Sequence, residues 1–289
     1  MNKIKLSICI PAYNAEEWIV ETLQSLLPIT DAIEVIVSDN HSTDATLKKI
    51  EEFRYQNLSS KLRVIQPANH LSMAENWNFV ISSASGSYVM LLSADDLISA
   101  EMCTEAIEKF EREPSVDVIT FEHDKLIHEA GGKRIATRRV ALSLTEGMST
   151  PAGLILNKNP FSINFSFIRM DSDRIKKIRS KGNLFVRNTM TTDYDFWIRC
   201  ALIGCKISYQ VYPKGYYRVH SSNLSNNRSK MLIQTYLVIA RHRKALKAAC
   251  GFTLRLLFAR LYIRQFFLMS GTAKKYMRLR SALLKAIFS

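Results

Sequence analysis

The sequence predicts an α/β protein built on a doubly wound, mixed β-sheet. Up to Arg112, short apolar runs of strand length alternate with segments whose apolar residues recur at helical spacing. Each apolar run ends in proline or polar residues, as strands do before a crossover connection. The predicted strands are Leu6–Ile10, Glu34–Ser38, Leu62–Gln66 and Tyr88–Ser93, and the predicted helices are Ala15–Leu27, Ala45–Tyr55, Ser72–Ala84 and Ala100–Arg112.

The rest of the chain has a less regular pattern. Basic residues and a Gly-Gly pair between Lys125 and Ser143 predict a hairpin or a mobile loop. The charged stretch Asp173–Lys181 predicts a solvated segment. We expect a strand at Val116–Phe121, a short helix at Pro151–Asn157, a half-buried strand at Ser162–Arg169, a helix at Tyr194–Leu202 and a last strand at Lys206–Tyr212.

The charge of the chain is unevenly distributed. The formal net charge is +14, and the excess of basic over acidic residues lies at the end of the chain. From Phe196 onward there are 18 Lys and Arg and no Asp or Glu. We therefore predict a body at 1–228 and a basic, amphipathic helical region at 229–289. Such a basic region indicates a polyanionic partner, either membrane lipid or nucleic acid.

The segment Phe252–Met269 favours the membrane. Arg255, Arg260 and Arg264 form a cationic stripe on an otherwise aromatic and aliphatic helix, which is typical of a helix lying in a membrane interface. We expect residues 230–289 to contact an anionic membrane. The alternative is a helix packed on the body or across a dimer, so a homo-oligomer stays open.

The cysteines and the N-terminus predict a cytoplasmic protein, which the basic region would hold at the inner face of the cell membrane. The five cysteines are odd in number and have no CxxC spacing, so we expect a reducing compartment, no disulfide framework and no zinc site. The chain begins Met-Asn-Lys-Ile-Lys and runs directly into a strand, so we expect no signal peptide. No apolar run is long enough to predict a spanning helix.

Polar side chains follow the predicted parallel strands at their carboxyl ends. These are Tyr13, Asp39, Asn69 and the adjacent pair Asp95 and Asp96. Since the carboxyl ends of such strands share one edge of the sheet, we expect these groups to converge. Two adjacent carboxylates repel each other, and a divalent cation shared with a diphosphate would offset that repulsion. The alternative is that one of the pair caps the helix beginning near Ser99.

Three motifs carry a resemblance to a known family. They are the segments 8–14 (ICIPAYN), 35–44 (VIVSDNHSTD) and 94–96 (ADD), each at the end of a predicted strand. In this order and spacing they resemble the family 2 glycosyltransferases of the GT-A fold, over roughly residues 4–225. The resemblance implies an inverting enzyme that uses nucleotide-sugar donors and Mn²⁺ or Mg²⁺.

The resemblance also implies roles for residues at the strand ends. Pro11 and Tyr13 would frame the nucleotide base, and Asp39 would accept a hydrogen bond from the base imide, which favours UDP or dTDP. Asp95 would contact the ribose, and Asp96 would bind the metal. Polar contacts to the donor are expected from Asn76 and, by the same comparison, from Asn69 and Asn78. This chain departs from the family pattern at Asn40 and Ala94, where many relatives have Asp.

The later motifs imply the remaining roles. Asp193 aligns with the base that takes the acceptor proton, although Thr192 stands where the family has Glu. Asp195 is the rival candidate, and a helix-capping role for Asp193 is the alternative. His220 resembles a position that meets the metal or diphosphate, and Arg218 would assist at the diphosphate.

The sequence thus predicts a metal-dependent, inverting glycosyltransferase whose acceptor is a saccharide or lipid-linked saccharide of surface-polysaccharide assembly. One alternative is a nucleic-acid-binding protein that uses the basic region. Residues 231–289 contain no zinc-finger or RNP-like motif, so we expect no nucleic-acid partner. The other alternative is a nucleotidyltransferase. It would need a Gly-rich basic loop after the first strand, and Pro11–Glu17 has no Gly, Lys or Arg.

Overall fold

The computed structural model describes residues 3–57, 61–129, 132–136, 150, 153, 161–179, 183–187, 189–221, 223 and 226–250. These residues form one mixed sheet flanked by helices on both faces. The strands are β1 (Leu6–Ala12), β2 (Ile33–Asp39), β3 (Leu62–Ile65), β4 (Tyr88–Leu91), β5 (Val118–Glu129), β6 (Gly132–Ala136), β7 (Ser166–Arg169) and β8 (Ile207–Val219). The helices are α1 (Ile19–Ser25), α2 (Thr46–Asn57), α3 (Met73–Ser82), α4 (Ala100–Arg112), α5 (Asp173–Ile178), α6 (Thr192–Ile203), α7 (Arg228–Arg241) and α8 (Arg243–Cys250).

The strand order in the sheet is β3-β2-β1-β4-β7-β5-β6, and β8 pairs with β5. β1 to β4 are parallel, whereas β7 runs antiparallel between β4 and β5. Helices α1, α2 and α4 contribute to the core on one face, and α3, α5 and α6 contribute to the core on the other. The predicted doubly wound, mixed sheet is confirmed. Burial on both faces explains why β1, β2 and β4 read as nearly continuous apolar runs.

The last strand is longer than the sequence predicted. Pro213, Lys214 and Gly215 suggest a break, yet they lie inside β8, opposite an irregularity in the β5–β8 register between Phe121 and His123. A side chain at Gly215 would place its Cβ 2.3 Å from the ring of Phe165, so only glycine fits there. The extension carries the chain as far as Val219, alongside the end of β4.

Two further segments differ from the expectation. Within the segment predicted as a half-buried strand, Ile163–Phe165 is a 3₁₀ turn and the following strand β7 is buried, because β7 lies in the middle of the sheet. The segment expected to be solvated contains helix α5, which buries Ile175 and Ile178. The predicted helix at Pro151–Asn157 lies outside the described residues except for Gly153.

Helices α7 and α8 pack on the body. Val238, Ile239 and Leu246 form a small core with Tyr194 and Ile198 of α6. The first part of the predicted basic region, up to Cys250, therefore shares a core with the sheet domain. Residues 251–289, including the predicted membrane-interface helix, lie outside the described residues. Among the helices that the structure describes, none has the length and apolarity needed to cross a bilayer.

Candidate active site

The carboxyl ends of β1, β2 and β4 lie at one edge of the sheet, and the end of β8 joins them. Leu97 and Tyr216 form an antiparallel bridge, in which each backbone N–H donates to the other residue's carbonyl at 3.0 and 2.8 Å. This bridge fixes the last residues of β8 beside the Asp95–Asp96 pair. Residues more than 120 positions apart in sequence therefore build one site.

Asp96 faces into the protein and is 1% exposed. Its Oδ1 accepts a hydrogen bond from the backbone N–H of Arg218 at 2.9 Å, and its Oδ2 accepts one from the amide of Asn164 at 2.6 Å. Burial, and next the charge of Asp95, raise the pKa of Asp96 well above its ordinary value. Both oxygens of Asp96 thus serve to hold β8 and the turn before β7.

Asp95 faces His220. Its Oδ2 lies 2.9 Å from His220 Nε2, and a quarter of its side chain is exposed. The amide nitrogen of Asn223 lies 3.3 Å from the same His220 atom and 3.5 Å from Asp95 Oδ2. The amide oxygen of Asn223 accepts the backbone N–H of His220 at 2.6 Å, which orients the histidine.

These donors suit a divalent metal. Imidazole nitrogen together with carboxylate oxygen suits first-row ions such as Mn²⁺. Within the described part of the chain no three His, Cys, Asp or Glu side chains form a metal-binding group. Asp95 and His220 could therefore hold an ion that takes its other ligands from a bound diphosphate and water.

Arg218 supports the pair from inside the protein. It is fully buried, its Nε donates to the backbone oxygen of Asp95 at 2.6 Å, and its Nη2 lies 3.0 Å from Glu21 Oε2. The indole of Trp18 lies beneath the Arg218 guanidinium at 4.8 Å and stacks on the His220 ring at 5.2 Å. The predicted diphosphate contact by Arg218 thus falls on a residue whose guanidinium is engaged with protein groups.

The second part of the site lies at the ends of β1 and β2. Asp39 is fully buried, and its Oδ2 accepts hydrogen bonds from Gln66 Nε2 at 2.8 Å and from the backbone N–H of Ser42 at 3.3 Å. Its Oδ1 is buried and has no hydrogen-bond partner among the described residues. Tyr13 is half exposed, and its ring meets the edge of His70 at 4.8 Å. Pro11 lies in β1 opposite Ser38 of β2.

Three asparagines near this edge have structural contacts. The Asn40 amide both donates to and accepts from the backbone of Leu71, at 2.8 Å in each case, a pairing that an Asp could not make. Asn76 is buried and accepts the hydroxyl of Ser38 at 2.6 Å. Asn78 pairs in the same two-way manner with the backbone of Phe185. Asn76 and Asn78 therefore both make contacts within the protein.

The two acids of α6 lie in different environments. Asp195 is fully buried and contacts Arg199 at 2.7 Å, Arg241 at 3.0 Å and His242 at 2.9 Å. Burial acts to raise its pKa, but the hydrogen bond from His242 and the charge of Arg199 outweigh burial and lower the pKa to about 2. Asp193 is half-buried in the first turn of α6, where the helix dipole favours a carboxylate.

The first turn of α6 is tied to the strand-end region. Thr192 Oγ1 donates to the backbone oxygen of Val186 at 3.0 Å, and Arg187 lies 3.3 Å from Glu75 in the first turn of α3. Of the two candidate bases, Asp195 is buried in contacts with Arg199, Arg241 and His242. Asp193 therefore remains the better placed candidate.

Sequence reasoning missed four residues of this site: Trp18, Gln66, Asn164 and Asn223. Gln66 directly follows β3, so the strand-end rule that selected Asp39 also applies to it. Asn164 and Asn223 have no local signal, because each reaches the aspartates only through the packing of distant segments.

Comparison with known proteins identifies the family. The model of Glycosyl transferase family 2 matches residues 7–153, just over half of the chain. An uncharacterized glycosyltransferase of Haemophilus influenzae is 25% identical over 229 residues, covering 76% of this chain and 67% of that protein. The poly(ribitol-phosphate) β-N-acetylglucosaminyltransferase TarS of Staphylococcus aureus is 34% identical over 107 residues, covering 36% of this chain and 18% of TarS. The chain thus spans 18 to 67% of the length of these two relatives.

Solved structures share the fold. Residues 1–349 of S. aureus TarS in complex with UDP-GlcNAc match with a TM-score of 0.65 at 22% identity, over 85% of this chain and 67% of that one. The mannosyltransferase PcManGT from Pyrobaculum calidifontis, in complex with GDP-Man and Mn²⁺, matches with a TM-score of 0.60 at 14% identity, over 99% and 86%. The expected GT-A fold and family are confirmed, and the chain belongs to glycosyl transferase family 2, a family of sugar-transferring enzymes.

Proposed function

We propose that this protein transfers a sugar, with inversion at the anomeric carbon, from a nucleoside diphosphate sugar to an acceptor hydroxyl. The observation that carries the proposal is the convergence, at one sheet edge, of the Asp95–His220 pair and a buried oxygen of Asp39 that has no partner in the described part of the chain. The Asp95–His220 pair could bind the metal ion of a metal-bound diphosphate, and the Asp39 oxygen could accept a hydrogen bond from a nucleotide base. The UDP-GlcNAc and GDP-Man complexes of the structural neighbours support the same donor class. The family assignment favours sugar transfer over nucleic-acid binding or nucleotidyl transfer.

In this proposal Asp95 and His220 hold Mn²⁺ or Mg²⁺. This assignment gives Asp95 the role that the resemblance suggested for Asp96, because Asp96 is buried and both its oxygens accept protein hydrogen bonds. The bound ion would supply Lewis-acid stabilisation of the charge on the leaving diphosphate. Asp96, Arg218 and Trp18 position the two metal ligands.

Asp193 is proposed as the general base. The attacking acceptor hydroxyl must lose its proton as it bonds to the anomeric carbon, and a carboxylate beside that hydroxyl can accept the proton. Asp193 lies in the first turn of α6, where the positive end of the helix dipole favours a carboxylate. Tyr13 is exposed enough to stack on the nucleotide base.

The direct test is a thermal-shift screen of UDP-, dTDP- and GDP-sugars with Mn²⁺, repeated with EDTA. We expect a uridine or thymidine diphosphate sugar to raise the unfolding temperature with Mn²⁺ and to raise it much less with EDTA. Stabilisation by no nucleotide sugar under either condition would contradict the proposed function. Equal stabilisation with Mn²⁺ and EDTA would contradict the metal assignment alone.

We further propose a lipid-linked saccharide acceptor at the cytoplasmic face of an anionic membrane, which fits surface-polysaccharide synthesis. Helix α8 buries Leu246 against the body and turns Arg243, Lys244 and Lys247 to the surface. These cations continue the basic region toward residues 251–289. They would strengthen contact with anionic lipid headgroups, each contributing about 1 kcal/mol near the surface.

Vesicle cosedimentation tests the membrane contact. Deletion of 231–289 is an unsuitable test, because it removes Arg241 and His242 from the buried charge of Asp195. A triple variant of α8, with Arg243, Lys244 and Lys247 changed to Gln, keeps those contacts. Compared with a Lys48→Gln control on α2, it should bind less to vesicles containing phosphatidylserine. Equal binding by both variants, or binding to neutral vesicles at the same level, would contradict this contact through α8.

A further inference from the structure

Gln66 and Asp39 form a hydrogen-bonded pair at the ends of β3 and β2. The side-chain amide nitrogen of Gln66 donates to Asp39 Oδ2 at 2.8 Å, and the Ser42 N–H donates to the same oxygen at 3.3 Å. Gln66 itself is exposed, whereas Asp39 is fully buried. We infer that Gln66 sets the nucleotide-base specificity of this enzyme, selecting uracil or thymine and rejecting guanine. This inference rests on the proposed donor class.

The first step is the number of acceptors that Asp39 offers. A carboxylate provides two oxygens, and an adjacent pair of N–H donors on a ligand uses both. Here Oδ2 already accepts two protein hydrogen bonds, and Oδ1 accepts none among the described residues. An unpaired buried acceptor is costly, so Oδ1 is the atom at which a ligand donor gains most. Asp39 thus offers one open acceptor.

The second step is the orientation of the Gln66 amide. Only its NH₂ group, and not its oxygen, can donate to the carboxylate, so the nitrogen must face Asp39. That nitrogen carries a second N–H that the Asp39 bond does not use. The pair therefore offers a ligand one buried acceptor, Asp39 Oδ1, and one donor, Gln66 Nε2.

The third step matches this pair to the base edges. Uracil and thymine present one N–H between two carbonyl oxygens, so the N–H can donate to Asp39 while a carbonyl accepts from Gln66. Guanine presents its ring N–H between a carbonyl oxygen and an amino group, so rejection of guanine by Gln66 requires the base to bind with its amino group on the Gln66 side, where two donors meet. Adenine and cytosine would place a ring nitrogen acceptor against Asp39 Oδ1. The polar edge of the base is the feature by which proteins distinguish unpaired bases.

Gln66 therefore acts by occupying one oxygen of the carboxylate and by adding a donor. Sites that hydrogen-bond a particular polar group reject analogues that leave the site's own groups unpaired. Removing Gln66 would leave Asp39 Oδ2 with only the 3.3 Å hydrogen bond from Ser42, so that the carboxylate could accept both donors of guanine. Replacing Gln66 should therefore change the ratio of UDP affinity to GDP affinity. This ratio can be measured by binding alone, without an assay of sugar transfer.

Isothermal titration of the full chain with UDP and with GDP, each in Mn²⁺, tests the inference. The wild type should prefer UDP by about 10²-fold. In Gln66→Leu the UDP affinity should fall about tenfold while the GDP affinity holds or rises, so that the preference falls at least tenfold. Gln66→Glu places an acceptor against Asp39 and should lose UDP affinity further. Gln56→Leu, an exposed glutamine of α2, is the matched control and should keep the wild-type ratio.

The outcomes separate the two proposals. A wild type that binds neither nucleotide contradicts the proposed function itself. A wild type that binds nucleotide but prefers GDP overturns the role of Gln66 and leaves sugar transfer standing. Gln66→Leu could also keep the wild-type ratio of UDP to GDP affinity, while its far-UV circular dichroism spectrum and melting temperature match those of Gln56→Leu. That result would also overturn the role of Gln66.

Discussion

Asp95–Asp96 at the end of β4 and Asp193–Asp195 at the start of α6 are both close pairs of carboxylates with one buried member. The buried members differ in their partners. Asp96 accepts hydrogen bonds from neutral groups and lies next to another acid, whereas Asp195 is surrounded by Arg199, Arg241 and His242. The pKa of Asp96 is accordingly raised, and that of Asp195 is lowered to about 2.

This difference shows that burial alone does not decide how a carboxylate titrates. Burial acts to raise the pKa in both cases, and the charge of the neighbours decides whether it stays raised. The difference in burial also assigns a different role to each member of a pair. In the proposed function the partly buried members, Asp95 and Asp193, take part in the chemistry, and the fully buried members hold distant segments in place. Changing each acid in turn tests this division.

The largest effect is expected for Asp193→Asn. Asn cannot take the proton from the hydroxyl of the acceptor substrate. We therefore expect kcat to fall by about 10²–10⁴-fold while the affinity for the donor sugar is unchanged. Transfer kinetics and UDP titration measure the two quantities. Asp173→Asn, at an exposed position of α5, is the control. If the turnover of Asp193→Asn stays within about threefold of the control, another residue must act as the general base.

The next effect is expected for Asp95→Asn. Removing one of two proposed protein ligands should weaken Mn²⁺ binding in the presence of UDP and lower kcat by about 10²–10³-fold, the scale of losing one electrostatic stabiliser. The fraction of Mn²⁺ bound can be followed by electron paramagnetic resonance without any turnover. Wild-type Mn²⁺ affinity in this variant would show that Asp95 is not a ligand.

A smaller effect on the metal is expected for Asp96→Asn. One of its two accepting oxygens becomes an NH₂ group that faces a donor, either the Arg218 N–H or the Asn164 amide. The variant should therefore unfold at a lower temperature, while its Mn²⁺ affinity changes by less than about tenfold. If instead Asp96→Asn loses the metal and Asp95→Asn keeps it, Asp96 is the ligand that the sequence motif suggested.

The smallest effect on activity is expected for Asp195→Asn, whose change lies in stability. The folded-state pKa of about 2 is below the ordinary 3.8, so the charge of Asp195 contributes stability above about pH 4 that is lost as the pH falls toward 2. Urea unfolding should show that wild-type stability falls by roughly 2 kcal/mol more than that of Asp195→Asn between about pH 5 and pH 2. Parallel pH profiles for the two proteins would contradict the role of Arg199, Arg241 and His242.

Local sequence patterns predicted the first half of the fold closely. The helix Ala100–Arg112 has the predicted ends, and the ends of strands β1 to β4 differ from the prediction by at most two residues. Apolar runs bounded by polar groups are a strong signal when both faces of a parallel sheet are buried. The strands β5 and β8 are longer than predicted. β8 continues through Pro213 and Gly215, residues that usually end a strand, and β5 continues through the polar segment Glu122–Lys125.

The sequence by itself determined the family motifs and the edge of the sheet at which Tyr13, Asp39 and the Asp95–Asp96 pair meet. Polar residues that end parallel strands must share that edge, whatever the rest of the chain does. Only the tertiary structure decided which acid of each pair is buried, and that Gln66 occupies one oxygen of Asp39. Those outcomes depend on groups brought from far along the chain, such as Asn164, the backbone of Arg218 and the side chain of Arg241. The positions of such groups follow from the packing of whole elements, which local spacing does not encode.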